Sequence, residues 1–166
     1  MKLGIISDTH GYLDDRILHH LSDCHHVLHA GDIGPGAIID QLEEAHPCTA
    51  VYGNIDDAAT RARHPEYVLL DFEGVSVLMI HIAGAIERYN TNTRKLIEQH
   101  QPDVLICGHS HILKVKQDQR FGLLHINPGA AGRHGFHKTR TLLTVEAENG
   151  SLKDLKLIEL GPRSKG

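Results

Sequence analysis

Apolar residues fall into short runs along this chain, and amphipathic stretches separate the runs. The opening "KLGIIS" is a run of strand type. It is followed by "YLDDRILHHL", where Leu13, Ile17, Leu18 and Leu21 recur at helical spacing and acids occupy the first turn. The same alternation repeats: "HVLHAGD" predicts a strand, and "GAIIDQLEEAH" a helix with Ile38, Ile39 and Leu42 on one side. "CTAVYGN" predicts a third strand, and a polar loop follows it.

Beyond that loop the pattern changes. "EYVLLDFEGVSVLMIH" predicts two strands joined at Glu73-Gly74, a hairpin signal. A helix over about "NTRKLIEQHQ" leads into "DVLICGHSH". Then "LKVKQD", "FGLLHIN", "RTLLTVEAENG" and "LKDLKLIEL" alternate as β-structure with Gly-containing turns between them. Strands alternating with helices first, and mostly strands afterwards, fit an α/β (α+β) domain. Two sheets packed face to face with helices outside account for this order. A single domain over 1–160 is expected, with a short flexible C-terminal tail, "GPRSKG", over 161–166.

Composition narrows the function classes. The chain has 166 residues, enough for one domain with a real core. It is 40% hydrophobic and 23% charged, and its net charge of -4 offers no basic field for a nucleic-acid backbone. No stable nucleic-acid binding is expected. The window "VSVLMIHIAGAI" is broken by His81 and falls short of the ~20 residues of a membrane span, and the apolar start is too short for a signal peptide. Cys24, Cys48 and Cys107 have no metal or redox spacing and read as small core residues of a cytoplasmic protein. There are 15 histidines and no Trp. The pairs His19/His20 and His25/His26 have no partner spacing and are expected to be surface or packing residues.

The residues that follow the strands change the picture most. Asp8 and His10 follow the first, Asp32 the second and Asn54 the third. His81 follows "VLMI", and His109 and His111 follow "VLICG". One Asp or Asn after a strand is ordinary turn chemistry, and a lone His is commonly a satisfied core residue. Five strand ends that each deliver an oxygen or nitrogen donor form a joint pattern, because ligands bind at the carboxyl ends of strands in open α/β sheets. Gly31, Gly53 and Gly108 each precede a donor, as tight strand-to-loop turns require. The donor set contains no thiolate and suits two first-row divalent ions: manganese first, with Ni, Co, Fe or Zn as alternatives. Two dications against two carboxylates leave about +2, which favours a phosphoryl group. Two such metals also generate a bridging hydroxide near neutral pH.

At these residues the sequence resembles the calcineurin-like metallophosphoesterases. The motifs D-x-H, G-D, G-N, H and G-H-x-H occur in family order, and "SDTHG", "HAGD", "YGN" and "INPG" resemble the small bacterial and archaeal phosphodiesterase branch. The resemblance spans Ile5 to about Gly132. It implies a four-layer αββα sandwich of two mixed sheets flanked by helices, and a binuclear site. Asp8, His10, Asp32 and His111 would hold one metal, and Asp32, Asn54, His81 and His109 the other. Catalysis would rest on Asp8, Asp32, Asn54 and His109, with a small phosphoester or nucleotide-like substrate and the chance of a homo-oligomer.

Two departures from the family pattern matter. Larger members have a proton-donating histidine directly after the G-N asparagine, where this chain has Ile55 and then Asp56. Aryl esters or diesters are therefore expected over alkyl monoesters. The "T-H-G-H" often found near His81 is altered here to "MIHIAG". Asn54, Asp56, Asn127, Arg133 and His137 are the candidate substrate contacts, with Asn127 supporting the "NPG" loop and Arg88 and Tyr89 as weaker candidates. A turn explains the glycines of "NPGAAGRHGFHKTR" but not its Arg133, His134 and His137. The rival expectations are a phosphomonoesterase, a non-catalytic protein-binding scaffold like one retromer subunit, and a histidine-rich metal buffer.

Overall fold

The computed structural model describes residues 1–164. Its first sheet has the order β12-β11-β1-β2-β3, formed by Ser151–Pro162, Thr139–Glu148, Lys2–Ile6, His26–His29 and Cys48–Ala50. β1, β2 and β3 run parallel, whereas β11 is antiparallel to β1 and to β12. The second sheet has the order β4-β5-β8-β10-β9, formed by Tyr67–Phe72, Val75–Ile80, Val104–Ile106, Leu123–Asn127 and Lys114–Asp118. β5, β8 and β10 are parallel, and the two edge strands are antiparallel to their neighbours. Both sheets are mixed, as expected.

The apolar runs are continuous because their strands are buried on both faces. Leu3 and Ile5 of β1 point between the sheets with Val75, Val77 and Met79 of β5 and Val104 and Ile106 of β8. Ile6 faces the other way, onto Ile17 and Leu21 of α1 (Asp15–Leu21) and Ile38, Ile39 and Leu42 of α2 (Ile38–Glu43). On the far side, Leu78, Ile80 and Leu105 pack against Leu96 and Ile97 of α4 (Thr91–His100). These three apolar layers make the αββα sandwich.

Local details differ from the expectations. Leu18, placed on the apolar stripe of α1 by its spacing, is 36% exposed. The polar loop after β3 contains a further short helix, α3 (Ala58–Arg63), capped by the Asp57 carboxylate, which accepts from the Thr60 N–H. It buries no residue, so no apolar spacing announces it. A small hairpin, β6 (Gly84–Ala85) with β7 (Arg88–Tyr89), follows His81. β12 takes Gly161 and Pro162 out of the expected tail, and the Arg163 N–H donates to the Lys138 carbonyl; residues 165 and 166 lie outside the described residues. The turn at Glu73-Gly74 has positive φ at both residues, as two-residue hairpins prefer. Among the described residues no helix is long and apolar enough to cross a membrane.

Candidate metal centre

β1, β2 and β3 of one sheet and β5 and β8 of the other deliver their following loops to one place. The loops after β1 and β2 are zipped together by backbone bonds: Asp8 N–H to Gly31 O, His10 N–H to Asp32 O and Gly11 N–H to Ile33 O, at 2.8–3.0 Å. The Gly108 N–H donates to the His81 carbonyl, which joins the loops after β5 and β8 in the same way. The motif glycines stand where a side chain cannot. A Cβ on Gly31 would meet the His81 ring at 2.6 Å, one on Gly53 would overlap the Asp32 carboxylate, and one on Gly108 would overlap the Ser7 hydroxyl.

Each carboxylate is held by one oxygen and presents the other. Asp8 Oδ2 accepts from the Ser7 hydroxyl (2.7 Å) and the His109 N–H (3.1 Å), while Oδ1 has no hydrogen-bond donor and faces His111 Nε2 at 3.2 Å. Asp32 Oδ1 accepts from the Ile55 N–H at 3.0 Å; its Oδ2 lies 3.4 Å from His10 Nε2 and 3.3 Å from His81 Nε2. Asn54 Oδ1 lies between His81 Nε2 (3.1 Å) and His109 Nδ1 (3.0 Å). Potential ligand atoms thus converge in two groups, Asp8/His10/Asp32/His111 and Asp32/His81/His109, and Asp32 belongs to both.

These atoms fit cations. The His81 Nδ1–H donates to the Ala30 carbonyl at 2.7 Å, so a neutral His81 turns a bare lone pair toward the Asp32 carboxylate and the Asn54 oxygen. Lone pairs crowded in this way repel unless a proton or a metal stands among them. Burial works against charge on His81, yet the Asp32 hydrogen bond and the Asp8 and Asp32 charges raise its pKa above the ordinary value. Burial also works against charge on Asp32, but His81, the Ile55 N–H and His10 hold it below the usual carboxylate range. The His10 pKa lies below its ordinary value, because burial outweighs the pull of Asp32 and Asp8. Its Nε2, like Asp8 Oδ1, is buried without a hydrogen-bond partner. Backbone strain marks the same residues: Asp8, His10, Asp32, His109 and His111 all have φ between 46° and 71°. Left-handed conformations cost non-glycine residues about 1 kcal/mol or more each and concentrate at functional sites.

The calcineurin-like phosphoesterase superfamily domain matches residues 1–150. This chain belongs to that superfamily. Membership implies a phosphoester hydrolase, and the two donor groups agree with a metal-dependent one. A probable metallophosphoesterase of Methanothermobacter thermautotrophicus is 31% identical over 140 residues, covering 78% of this chain and 77% of that one. Among solved structures, an archaeal phosphodiesterase superposes with a TM-score of 0.75 at 22% identity, covering 96% of this chain and 100% of the other. Vps29 of Entamoeba histolytica, solved in complex with zinc, gives 0.74 at 18% identity, with 99% and 100% covered. The two structures confirm the fold of the superfamily.

Around this phosphoesterase-type centre the structure sorts the other candidates. Asp56 is not available to a substrate: it is 5% exposed, and its carboxylate accepts the N–H groups of Ile33, Gly34 and Gly53 at 2.8–3.2 Å. It ties the loop after β2 to the loop after β3. Asn127 is likewise turned inward, donating to Gly108 O and Ser110 Oγ and accepting from the Gly129 N–H, so it holds the His109 loop in place. Arg133 lies over the Tyr12 ring, 4.6 Å from its centroid, and not on the wall of the cleft. Tyr89 is buried against His125, and Arg88 lies in the small hairpin, outside the cleft wall. His137 does reach the cleft: its ring meets that of His111 at 5.2 Å, with Nε2 bonded to Gly132 O and Nδ1 unpaired.

Sequence reasoning noted His134 without giving it a role and passed over Arg140 and His29. His134 packs on His10 with centroids 4.7 Å apart and lines the same cleft, of about 470 Å³. The buried Arg140 pairs with Asp14 at 3.0 Å and donates to the Ala131 carbonyl, anchoring the loop that carries both histidines. His29 is fully buried. Its Nδ1 accepts from the Gly31 N–H, and its Nε2–H donates to Thr9 Oγ, which itself donates to the Ile33 carbonyl. A histidine on the β2 strand, one of 15 in the chain, gave no local sign of this role.

Proposed function

We propose that the chain hydrolyses phosphodiesters in the cytoplasm with two divalent cations, manganese first. Asp8, His10, Asp32 and His111 would hold one cation, and Asp32, Asn54, His81 and His109 the other. The observation that carries this reading is the single oxygen, Asp32 Oδ2, facing imidazole nitrogens of both groups. Bound there, the cations would supply positive charge against phosphoryl oxygens and a water of lowered pKa. The residues do the rest. Asp8 and Asp32 contribute only two negative charges, so the pocket retains attraction for an anion. Asn54 ligates through a neutral oxygen. The Ile55 N–H and the Ser7 hydroxyl lock the two carboxylates before substrate arrives, so no reorganisation is needed then. His137, its Nε2–H engaged by the Gly132 carbonyl, would donate to a phosphoryl oxygen from the rim through a protonated Nδ1, a form that the substrate's negative charge would favour.

Ile55 follows Asn54 and is 45% exposed, so no side chain at that point can protonate a departing alkoxide. Leaving groups stable as anions are favoured, which supports aryl esters and diesters over alkyl monoesters. The three cysteines are free, consistent with a reducing compartment. A purely structural scaffold would gain nothing from strain at five ligand positions, which argues against the non-catalytic alternative. The test is turnover of a bis-aryl phosphodiester, an aryl monoester and their alkyl counterparts by protein loaded in turn with Mn, Ni, Co, Zn and Mg. The diester should be the best substrate, and Asp32→Asn should abolish both turnover and metal retention. A metal-loaded protein that cleaves none of the four esters would overturn the proposal in favour of the scaffold.

A further inference from the structure

Beside the histidine-lined cleft lies an adjoining arm of about 330 Å³, and His109, Ser110 and Ile112 line both spaces. Ile82 and Ile86, from the segment after His81, line the arm together with Ile112. Two of these side chains are unusually bare for isoleucine: Ile112 is 63% exposed and Ile82 39%. Exposed apolar groups gathered at the mouth of a reactive site mark a binding surface.

The polar groups at the base of the arm are already engaged. His125 meets the Tyr89 hydroxyl at 3.0 Å with one nitrogen and faces Cys107 Sγ at 3.7 Å with the other. The Asn127 amide uses both its oxygen and its nitrogen on the loop around it. No buried side-chain donor or acceptor there is left to read a ligand. Beyond the exposed Lys114 and the His109 and Ser110 that the arm shares with the cleft, a sugar would find no free side-chain partner there, and most of its hydration would be lost without replacement. A flat apolar ring would lose no hydrogen bonds and would cover the isoleucines.

We propose that the arm seats an aromatic substituent of the phosphoester, with Ile82, Ile86 and Ile112 selecting it. The inference rests on the phosphoesterase reading above. An aryl ester and a nucleobase share this chemistry, and the experiment separates them.

The probes are phosphonates and phosphate esters tested as competitive ligands of the manganese-loaded protein. Phenylphosphonate should bind at least about 10-fold more tightly than methylphosphonate, the worth of burying a ring against aliphatic walls. In Ile112→Asn and in Ile82→Asn the ratio should fall to within about 3-fold. Bound manganese and the far-ultraviolet circular dichroism should stay as in the parent, excluding misfolding. Uridine 5′-phosphate binding about 10-fold more tightly than ribose 5-phosphate would identify the occupant as a base. Equal binding of that pair, with the phenyl preference intact, would identify a simple aryl group. A phenyl-to-methyl ratio near one in the parent, or a ratio that survives both substitutions, would overturn the inference and leave the phosphoesterase reading standing. Failure of every phosphonate to bind the loaded protein would remove both together.

Discussion

His29 makes the stability of this protein depend on mild acid. The ring is fully buried, and burial pushes its pKa down to about 4 from 6.5. Its two bonds fit the neutral form, since Nδ1 accepts from Gly31 and Nε2–H donates to Thr9. The folded-state pKa is thus depressed below the unfolded one. The stabilisation is complete above pH 6.5 and is lost as the pH falls toward 4, because over that window only the unfolded chain takes up the proton. Integration of the linkage gives a loss of about 2 kcal/mol between pH 7 and pH 5, and about 3 kcal/mol by pH 4. The comparison that isolates this effect is His29→Gln, which removes the titration and leaves the other histidines alone. Urea unfolding of both proteins in chelator should give a stability difference that is largest at pH 7 and shrinks by about 2 kcal/mol at pH 5. A difference constant over that range would refute the reasoning. His29 braces the backbone on either side of Thr9 and Gly31, so the variant should also hold manganese more weakly at neutral pH.

Four further outcomes follow from the contacts. Gly53→Ala should lower stability in denaturant unfolding and lose most bound metal in elemental analysis, because its methyl would overlap both the Asp32 carboxylate and the Asp32 backbone nitrogen. Asp56→Ala strips three backbone N–H groups of their acceptor and should cost about 3 kcal/mol in denaturant unfolding, with metal affinity falling as well. Arg133→Ala, because its guanidinium rests on Tyr12, should alter KM for a diester by less than about 3-fold, whereas His137→Ala should raise KM by about 10-fold with metal content unchanged.

The candidate ligands were legible because each sits directly after an apolar strand, and strand ends in parallel sheets converge by topology alone. The motif glycines reinforced that reading, since their positions reflect local crowding that any fold of this kind imposes. Side-chain direction was not legible. Asp56 is polar and close to Asn54 in sequence, which is also what a substrate contact would look like. Its actual partners are N–H groups from Ile33 and Gly34, more than twenty residues away. Arg133 was misread for the same reason, because its aromatic neighbour Tyr12 lies in a distant loop. α3 escaped notice because a helix that buries nothing carries no periodic signal.

Both donor groups draw on both sheets. Asp8, His10 and Asp32 follow strands of the first, while His81, His109 and His111 follow strands of the second. A cation bound in either place would therefore act as a rivet through two layers that otherwise meet mainly through apolar side chains. Heat resistance would then track the supply of metal, rising with the ratio of free ion to its dissociation constant. A cell starved of that ion would hold a less stable fold as well as an idle one.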